Sequence, residues 1–498
     1  MNGIPSFLRF ENGGAPKEAT GLALDYFGRC PIIMTGIFMC PALLKLVMEA
    51  AGCTNETQCN ATFLGMTPAT LWTNIISVSG FLSAIFMPLF GTIVDHTAHR
   101  RLVGTYSAWL LVVVTAAQLI VNKHTWVFLA VCQVVAITTY NIHSVITYAY
   151  NAELSRDPDQ QTFYNSQYAI IQSSSYIIFV SITLTIAAVF QLDTYWTATA
   201  SEAIGLLFLG WSFGLCWPSL FDDMPASSIL PEGTTLWNAG FHKLCRTLAS
   251  MKENVPALRW AIVAVLFTES GLVSLLSISV TFFVDYMQMT SVEVGLVNLI
   301  ILLSGVVGAK AAEFVSTKKN PLFSTMFAVF LLIVWTTAAC LILLPSRKVW
   351  AYVFGAGWGA LVVWIFATDL TLFVVLSPPH SRTELMGIYK FAQSGGSWVP
   401  PLVFSLLVST GFSMTTGLAS VNIFFVAGLI CYSMIGNFDD GMDRATRSVL
   451  PRKEPTEDML AVLTEDGSSL DGSALSVEEA KGSVMVPTPP VVSYGSIS

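Results

Sequence analysis

Glu269 stands within an apolar span, in Leu266-Phe267-Thr268-Glu269-Ser270-Gly271. A carboxyl in such a setting is costly to keep and can exchange a proton with a passing solute or solvent. A structural reading competes with that one, in which Glu269 is fixed by an ion pair with Lys390 or Lys310. His143 is a second candidate proton carrier, since imidazole changes charge near neutral pH. Around it Tyr140, His143, Ser144, Thr147 and Asn151 recur at spacings of three and four, which places them on one helical face. Ser270, Ser274, Ser277 and Thr281 do the same beside Glu269, as do Tyr168, Gln172 and Ser175. So do Tyr389, Gln393 and Ser397, with Lys390 alongside. Such stripes demand a polar neighbour or a wet cleft. For the serines, packing between helices is an equally available explanation. Asp369 reads as a gate or packing group late in its span, and Arg29 and Lys45 as cations that snorkel from span ends. No catalytic constellation is present: a phosphate-binding loop and a nucleophile elbow are both missing, and the cysteines lack metal-ligand spacing. The expectation is a protein that is not an enzyme and needs neither cofactor nor metal.

The elements that must carry these residues are set by composition. Hydrophobic residues make up 54% of the 498 and charged residues only 11%. A soluble domain carries about 25% charged residues, so the solvent for most of this chain is lipid. A backbone in lipid must satisfy its own hydrogen bonds, which selects helices of roughly 20 residues. Twelve runs fit, at 28–50, 70–94, 102–121, 125–149, 166–190, 198–217, 257–284, 292–314, 321–344, 350–376, 386–409 and 415–436. Gly395-Gly396 and Pro400-Pro401 interrupt the eleventh. The fold class is therefore an all-α membrane protein of about twelve transmembrane helices in two six-helix bundles. The divisions expected are an N-terminal cytosolic segment 1–27, a bundle 28–217, a cytosolic loop 218–256, a bundle 257–436 and a tail 437–498. Trp237, Phe241, Leu244 and Leu248 give the loop a short amphipathic helix along the membrane surface. The tail, with eleven acidic and five basic residues among Ser, Gly and Pro, is expected to be disordered. It accounts for most of the net charge of −8, and no basic patch for nucleic acid is present.

Basic residues give the orientation. With the N-terminus cytosolic, twelve Lys and Arg fall on the cytosolic side, against Lys123, Arg347 and Lys348 on the other. The first twenty residues are polar and broken by Gly and Pro, so no removable signal peptide is expected, and the first helix serves as the insertion signal. Both glycosylation sequons, at Asn55 and Asn60, fall in the first non-cytosolic loop. Cys53 and Cys59 share that loop, where a disulfide and two free thiols are both open. The other seven cysteines read as small buried hydrophobes.

Gly91-Thr-Ile-Val-Asp95-His-Thr-Ala-His99-Arg100-Arg101 joins the second and third helices. As spacing alone it is a loop obeying the positive-inside bias. It also resembles the loop signature of the major facilitator superfamily, which implies that Gly91, Asp95, Arg100 and Arg101 latch the two bundles together in one state of a transport cycle. A narrower resemblance lies in Pro378-Pro379-His-Ser-Arg382-Thr-Glu384-Leu-Met-Gly387-Ile-Tyr389, followed by Ser397-Trp398-Val-Pro400-Pro401. This is similar to the autophagy-related vacuolar amino-acid effluxers, as are Leu24-Asp25-Tyr26-Phe27 through Leu44 and the segment ending Glu269-Ser270-Gly271. Three features depart from that pattern. Ser270 occupies the place of an acid, Asn151-Ala152-Glu153 lacks the proline of the fourth helix, and the second loop signature near Gly308 and Glu313 is degenerate.

The resemblance implies a secondary transporter of amino acids in a vacuolar or lysosomal-type membrane, with the plasma membrane as the other location. Its cavity would be lined by Tyr140, His143, Ser144, Thr147, Gln172, Glu269, Ser270, Ser274, Gln393 and Ser397. Protons are an expected coupling partner, through Glu269 or His143. Tyr494 and Ile497 in the tail resemble a sorting signal read by adaptors. Two alternatives stay open: a transporter of another small solute such as a sugar or drug-like molecule, and a receptor or scaffold that signals through the tail.

Overall fold

The computed structural model describes residues 5–10, 16–53, 67–121, 125–155, 158–223, 245–249, 251–252, 254–378 and 382–447. These lie within one compact unit, Met1–Leu450. The chain is helical throughout, with no strand among the described residues. Asn55, Asn60, Cys59, Trp237, Phe241, Leu244, Tyr494 and Ile497 lie outside the described residues.

The N-terminal half contains α1 (Lys17–Arg29), α2 (Pro31–Ala50), α3 (Leu71–His96), α4 (Arg100–Ala117), α5 (Trp126–Glu153), α6 (Pro158–Val189) and α7 (Thr194–Ser219). The C-terminal half contains α8 (Pro256–Thr281), α9 (Ser291–Lys318), α10 (Pro321–Ile342), α11 (Val349–Leu376), α12 (Arg382–Gly395), α13 (Val399–Ser409), α14 (Met414–Ser433) and α15 (Phe438–Arg447). Ten helices or helix pairs are long and apolar enough to cross a membrane. The runs predicted at 102–121 and 386–409 fall outside those ten. The first is α4, of 18 residues, which opens on two arginines. The second is broken at Gly396–Trp398, so that α12 and α13 share one passage. Pro400 and Pro401 sit in the first turn of α13, where no backbone N–H is owed to the helix.

Two boundaries differ from the sequence reading. The helical run begins at Lys17 rather than 28, because α1 and α2 join through Cys30 into one 34-residue span. Pro31 removes a backbone donor at the joint, yet Cys30 keeps helical dihedrals. At the other end α15 forms within the segment expected to be structureless. Its Gly441 and Ala445 are buried, with Gly441 against Ala257 of α8 and Leu376 of α11.

Apolar side chains point two ways, as lipid requires. Phe38, Leu43, Phe179, Leu272, Phe283 and Trp358 fill the interior, while Val189, Phe190, Val307, Leu341 and Ile423 lie on the outer surface. Within the C-terminal half α9 and α11 meet backbone to backbone at Gly308, where a Cβ would lie 1.8 Å from the Ala360 carbonyl oxygen. Glycine is what allows that approach. The halves join where α3 meets α12 and α13, where α2 meets α8 and α9, and where α6 meets α9. Ser405 Oγ of α13 donates to Asn74 Oδ1 of α3 at 2.6 Å, and the Trp398 ring packs edge-on against Phe81. Beside these, a cavity of about 260 Å³ lies between Pro41 and Met48 of α2 and Asp285–Ser291. α8 ends there in a single π-helical turn, Phe282–Tyr286.

Candidate functional site

In the N-terminal half the polar side chains of α1 and α5 meet. Asp25 and Arg29 are one turn apart on α1, both fully enclosed, with Arg29 Nε 3.1 Å from Asp25 Oδ1. Asp25 Oδ2 lies 2.7 Å from His143 Nε2 on α5 and accepts from Trp217 Nε1 of α7 at 3.1 Å. The other imidazole nitrogen, Nδ1, is 2.7 Å from Ser107 Oγ on α4. Arg29 Nη1 donates to Ser144 Oγ, and the guanidinium lies over the rings of Tyr26 and Tyr140 at 4.8 and 5.1 Å. Three helices therefore meet at one carboxylate, and a fourth joins through His143. A charge taken this far from water persists only when paired and hydrogen-bonded, and Asp25 is both.

In the C-terminal half the pattern is sparser. Glu269 of α8 is 1% exposed and accepts from Gln393 Nε2 of α12 at 3.2 Å. The same Gln393 accepts from Lys390 Nζ at 2.6 Å and donates to Tyr389 Oη at 3.1 Å. Lys390 sits 4.6 Å over the ring of Tyr148, which belongs to α5 of the other half. Asp369 of α11 is enclosed and accepts from Tyr432 Oη of α14 at 2.6 Å. Neither ion pair considered for Glu269 forms. Lys390 makes no ion pair with it and is linked to it through the Gln393 amide, and Lys310 pairs on the outer face with Glu313 at 2.7 Å.

Comparison with known proteins decides what this architecture is. The model of the Major Facilitator Superfamily matches residues 32–401, more than half of the chain. The chain belongs to the major facilitator superfamily. No curated protein matches it in sequence. Among solved structures, it resembles the peptide transporter POT in complex with alafosfalin, at 12% identity and TM-score 0.56, covering 89% of this chain and 98% of that one. The nucleoside transporter NupG aligns at 12% identity and TM-score 0.54, over 84% and 100% of the two chains. The human organic anion transporter MFSD10 aligns at 15% and 0.54, over 84% and 99%. At these identities the likeness is one of fold.

A major facilitator is a multi-pass membrane transporter of small solutes and not an enzyme, and its predicted lining residues divide accordingly. Tyr140, Gln172, Gln393 and Ser397 are half-buried, in keeping with a lining position. Thr147, Ser270 and Ser274 are enclosed and spend their hydroxyls on helix carbonyls, as packing serines and threonines do. Ser274 also faces the Ser397 carbonyl at the α12–α13 break, and Gly396 passes so close to Ser270 that a Cβ would lie 2.4 Å from its hydroxyl. In the stripe of Tyr168, Gln172 and Ser175 on α6, Tyr168 and Ser175 bond the carbonyls of Ala19 and Phe27 and fasten α6 to α1. Arg100 pairs with Glu153 at 2.7 Å, and Arg101 donates to the Pro218 carbonyl at 3.0 Å; these partners belong to the N-terminal half. Gly91 and Asp95 lie in the last turns of α3, and the Asp95 side chain is outside the described residues. Cys53 is disulfide-bonded.

Sequence reasoning missed Asp25 and misread Arg29 as a snorkelling cation. The missed signal was their one-turn spacing on a glycine-containing helix that leads straight into an apolar span, together with a buried His143 that needed a partner. Glu202 was missed as well. Enclosed in α7, it is 3.5 Å from Gln133 Nε2, which is bonded in turn to Gln118 Oε1.

Proposed function

We propose that this chain moves amino acids across a vacuolar or lysosomal-type membrane towards the cytosol, by rocking one half against the other around the seam between them. The observation that carries the reading is the meeting of α5 and α12 across that seam. Tyr148 of one half covers Lys390 of the other, and Lys390 is linked through the Gln393 amide to Glu269. Both signs of charge are thus offered close together, as a zwitterion requires. The resemblance to vacuolar effluxers supports the solute class. The excess of basic residues on one side supports cytosolic termini. On this reading Asn55 and Asn60 carry glycans in the lumen, Cys53 pairs with Cys59, and Tyr494 and Ile497 are read by sorting adaptors. Gly91, Asp95, Arg100 and Arg101 form the latch of the opposite conformational state.

Proton coupling is assigned to Glu269, because it is enclosed, lacks an ion-pair partner among the described residues, and is one amide away from the seam. The test is uptake of labelled amino acids into proteoliposomes under an imposed pH gradient. The wild-type chain is expected to concentrate solute, and Glu269→Gln to lose concentration above equilibration. Unchanged pH-driven accumulation in Glu269→Gln rules out that role.

A further inference from the structure

Arg29 and Arg100, the two arginines enclosed by helix packing, each face a carboxylate, Asp25 and Glu153 respectively. Lys390 does not. It lies half-buried in the seam on α12, hydrogen-bonded to the neutral Gln393 amide and flanked by the rings of Tyr148 at 4.6 Å and Tyr389 at 5.8 Å. Among the described residues no carboxylate comes within ion-pair distance of it. Aromatic faces offset part of the cost of holding an ammonium away from bulk water, but they supply no counter-charge. A cation without an ion-pair partner inside a membrane protein is expensive, and such groups mark the paths of ligands. We propose that Lys390 is the anchor for the carboxylate of the transported solute.

The class follows from the charge available. Arg29 is already paired with Asp25, and Glu269 is held behind the Gln393 amide without an ion pair to Lys390, so Lys390 offers a single ammonium to an incoming anion, matched to a monoanionic carboxylate rather than a phosphate. The position also explains how a bound solute is sensed. Gln393 holds Lys390 through its carbonyl oxygen and Glu269 through its nitrogen, so a carboxylate on Lys390 alters the field at Glu269 through one amide. Tyr148 stands on the opposite half, so a carboxylate that draws the ammonium off its ring loosens a contact between the halves. The assignment rests on the transport reading above, yet it fails separately from it.

The test is thermal unfolding of the purified full-length chain, and of Lys390→Gln and Lys390→Arg, with three probes. These are L-leucine, isopentylamine (leucine without its carboxylate) and isocaproate (leucine without its amine). Counterflow of labelled L-leucine into proteoliposomes runs beside it. Leucine and isocaproate are expected to raise the wild-type unfolding temperature, and isopentylamine to leave it unchanged. The rise should vanish in Lys390→Gln and persist in Lys390→Arg. Half-saturation for leucine should increase about tenfold or more in Lys390→Gln, the loss of one charged contact. Equal responses of the wild type and Lys390→Gln, stabilisation by the amine as strong as by the acids, or no stabilisation by either acid would overturn the assignment. Stabilisation by isocaproate through Lys390 without leucine counterflow would overturn the amino-acid reading and uphold the carboxylate anchor.

Discussion

Asp25 has three side-chain partners, Arg29, His143 and Trp217. Removing its charge strands an arginine and a histidine in a space closed to water. Breaking a buried pair of this kind costs about 3–5 kcal/mol. Asp25→Asn keeps the size of the side chain and is expected to lower stability by that order, read as thermal unfolding in detergent. The same change at exposed Asp439 should be silent. Equal unfolding temperatures for Asp25→Asn and the wild type would show that the network carries no stability. This part of the site was half legible in the sequence. The three-and-four spacing found His143 and Ser144, because an amphipathic stripe in an apolar helix is visible without knowing its partner. Asp25 and Arg29 were hidden by their own pairing. Charge lowers local hydropathy, so the expected edge of the first span fell between them at residue 28, and only the tertiary contact with α5 shows that the two charges cancel inside the bundle.

At the level of helices the spans were legible because length and hydropathy in lipid are dictated by backbone hydrogen bonding. Boundaries moved where a second interaction intervened. α1 extends to Lys17 since its polar groups face protein, and the eleventh passage divides because the conformationally free Gly395-Gly396 pair ends one helix and Pro400 and Pro401, which fit a first turn but not a helix interior, begin the next. Contacts between helices left almost no trace in the sequence. The closest of them, α9 against α11, depends on Gly308, which the sequence offered only as part of a degenerate loop signature. A methyl group there must push the Ala360 carbonyl and its helix away. Gly308→Ala is expected to destabilise by about 1–3 kcal/mol through overpacking. Gly214→Ala, where an added Cβ meets nothing within 4 Å, should be neutral or slightly stabilising. A detergent melt of both variants checks the difference, and indistinguishable curves would contradict the packing described.

For the molecule as a whole, a division into two halves followed from the long polar stretch near the middle of the chain and the number of spans on either side. How the halves touch did not, since neither composition nor periodicity encodes which faces of separate helices meet. The structure supplies that in Ser405 against Asn74, Trp398 against Phe81, and Lys390 against Tyr148. The account requires the first of these contacts to open and close as solute passes. Cysteines at 74 and 405, bridged by a short, cleavable thiol reagent, test this directly through solute counterflow in proteoliposomes. Single-cysteine variants treated alike serve as controls. The bridged double variant is expected to stop transporting and to recover when the bridge is cleaved. Transport by the bridged protein at the rate of the single variants would contradict movement of one half against the other.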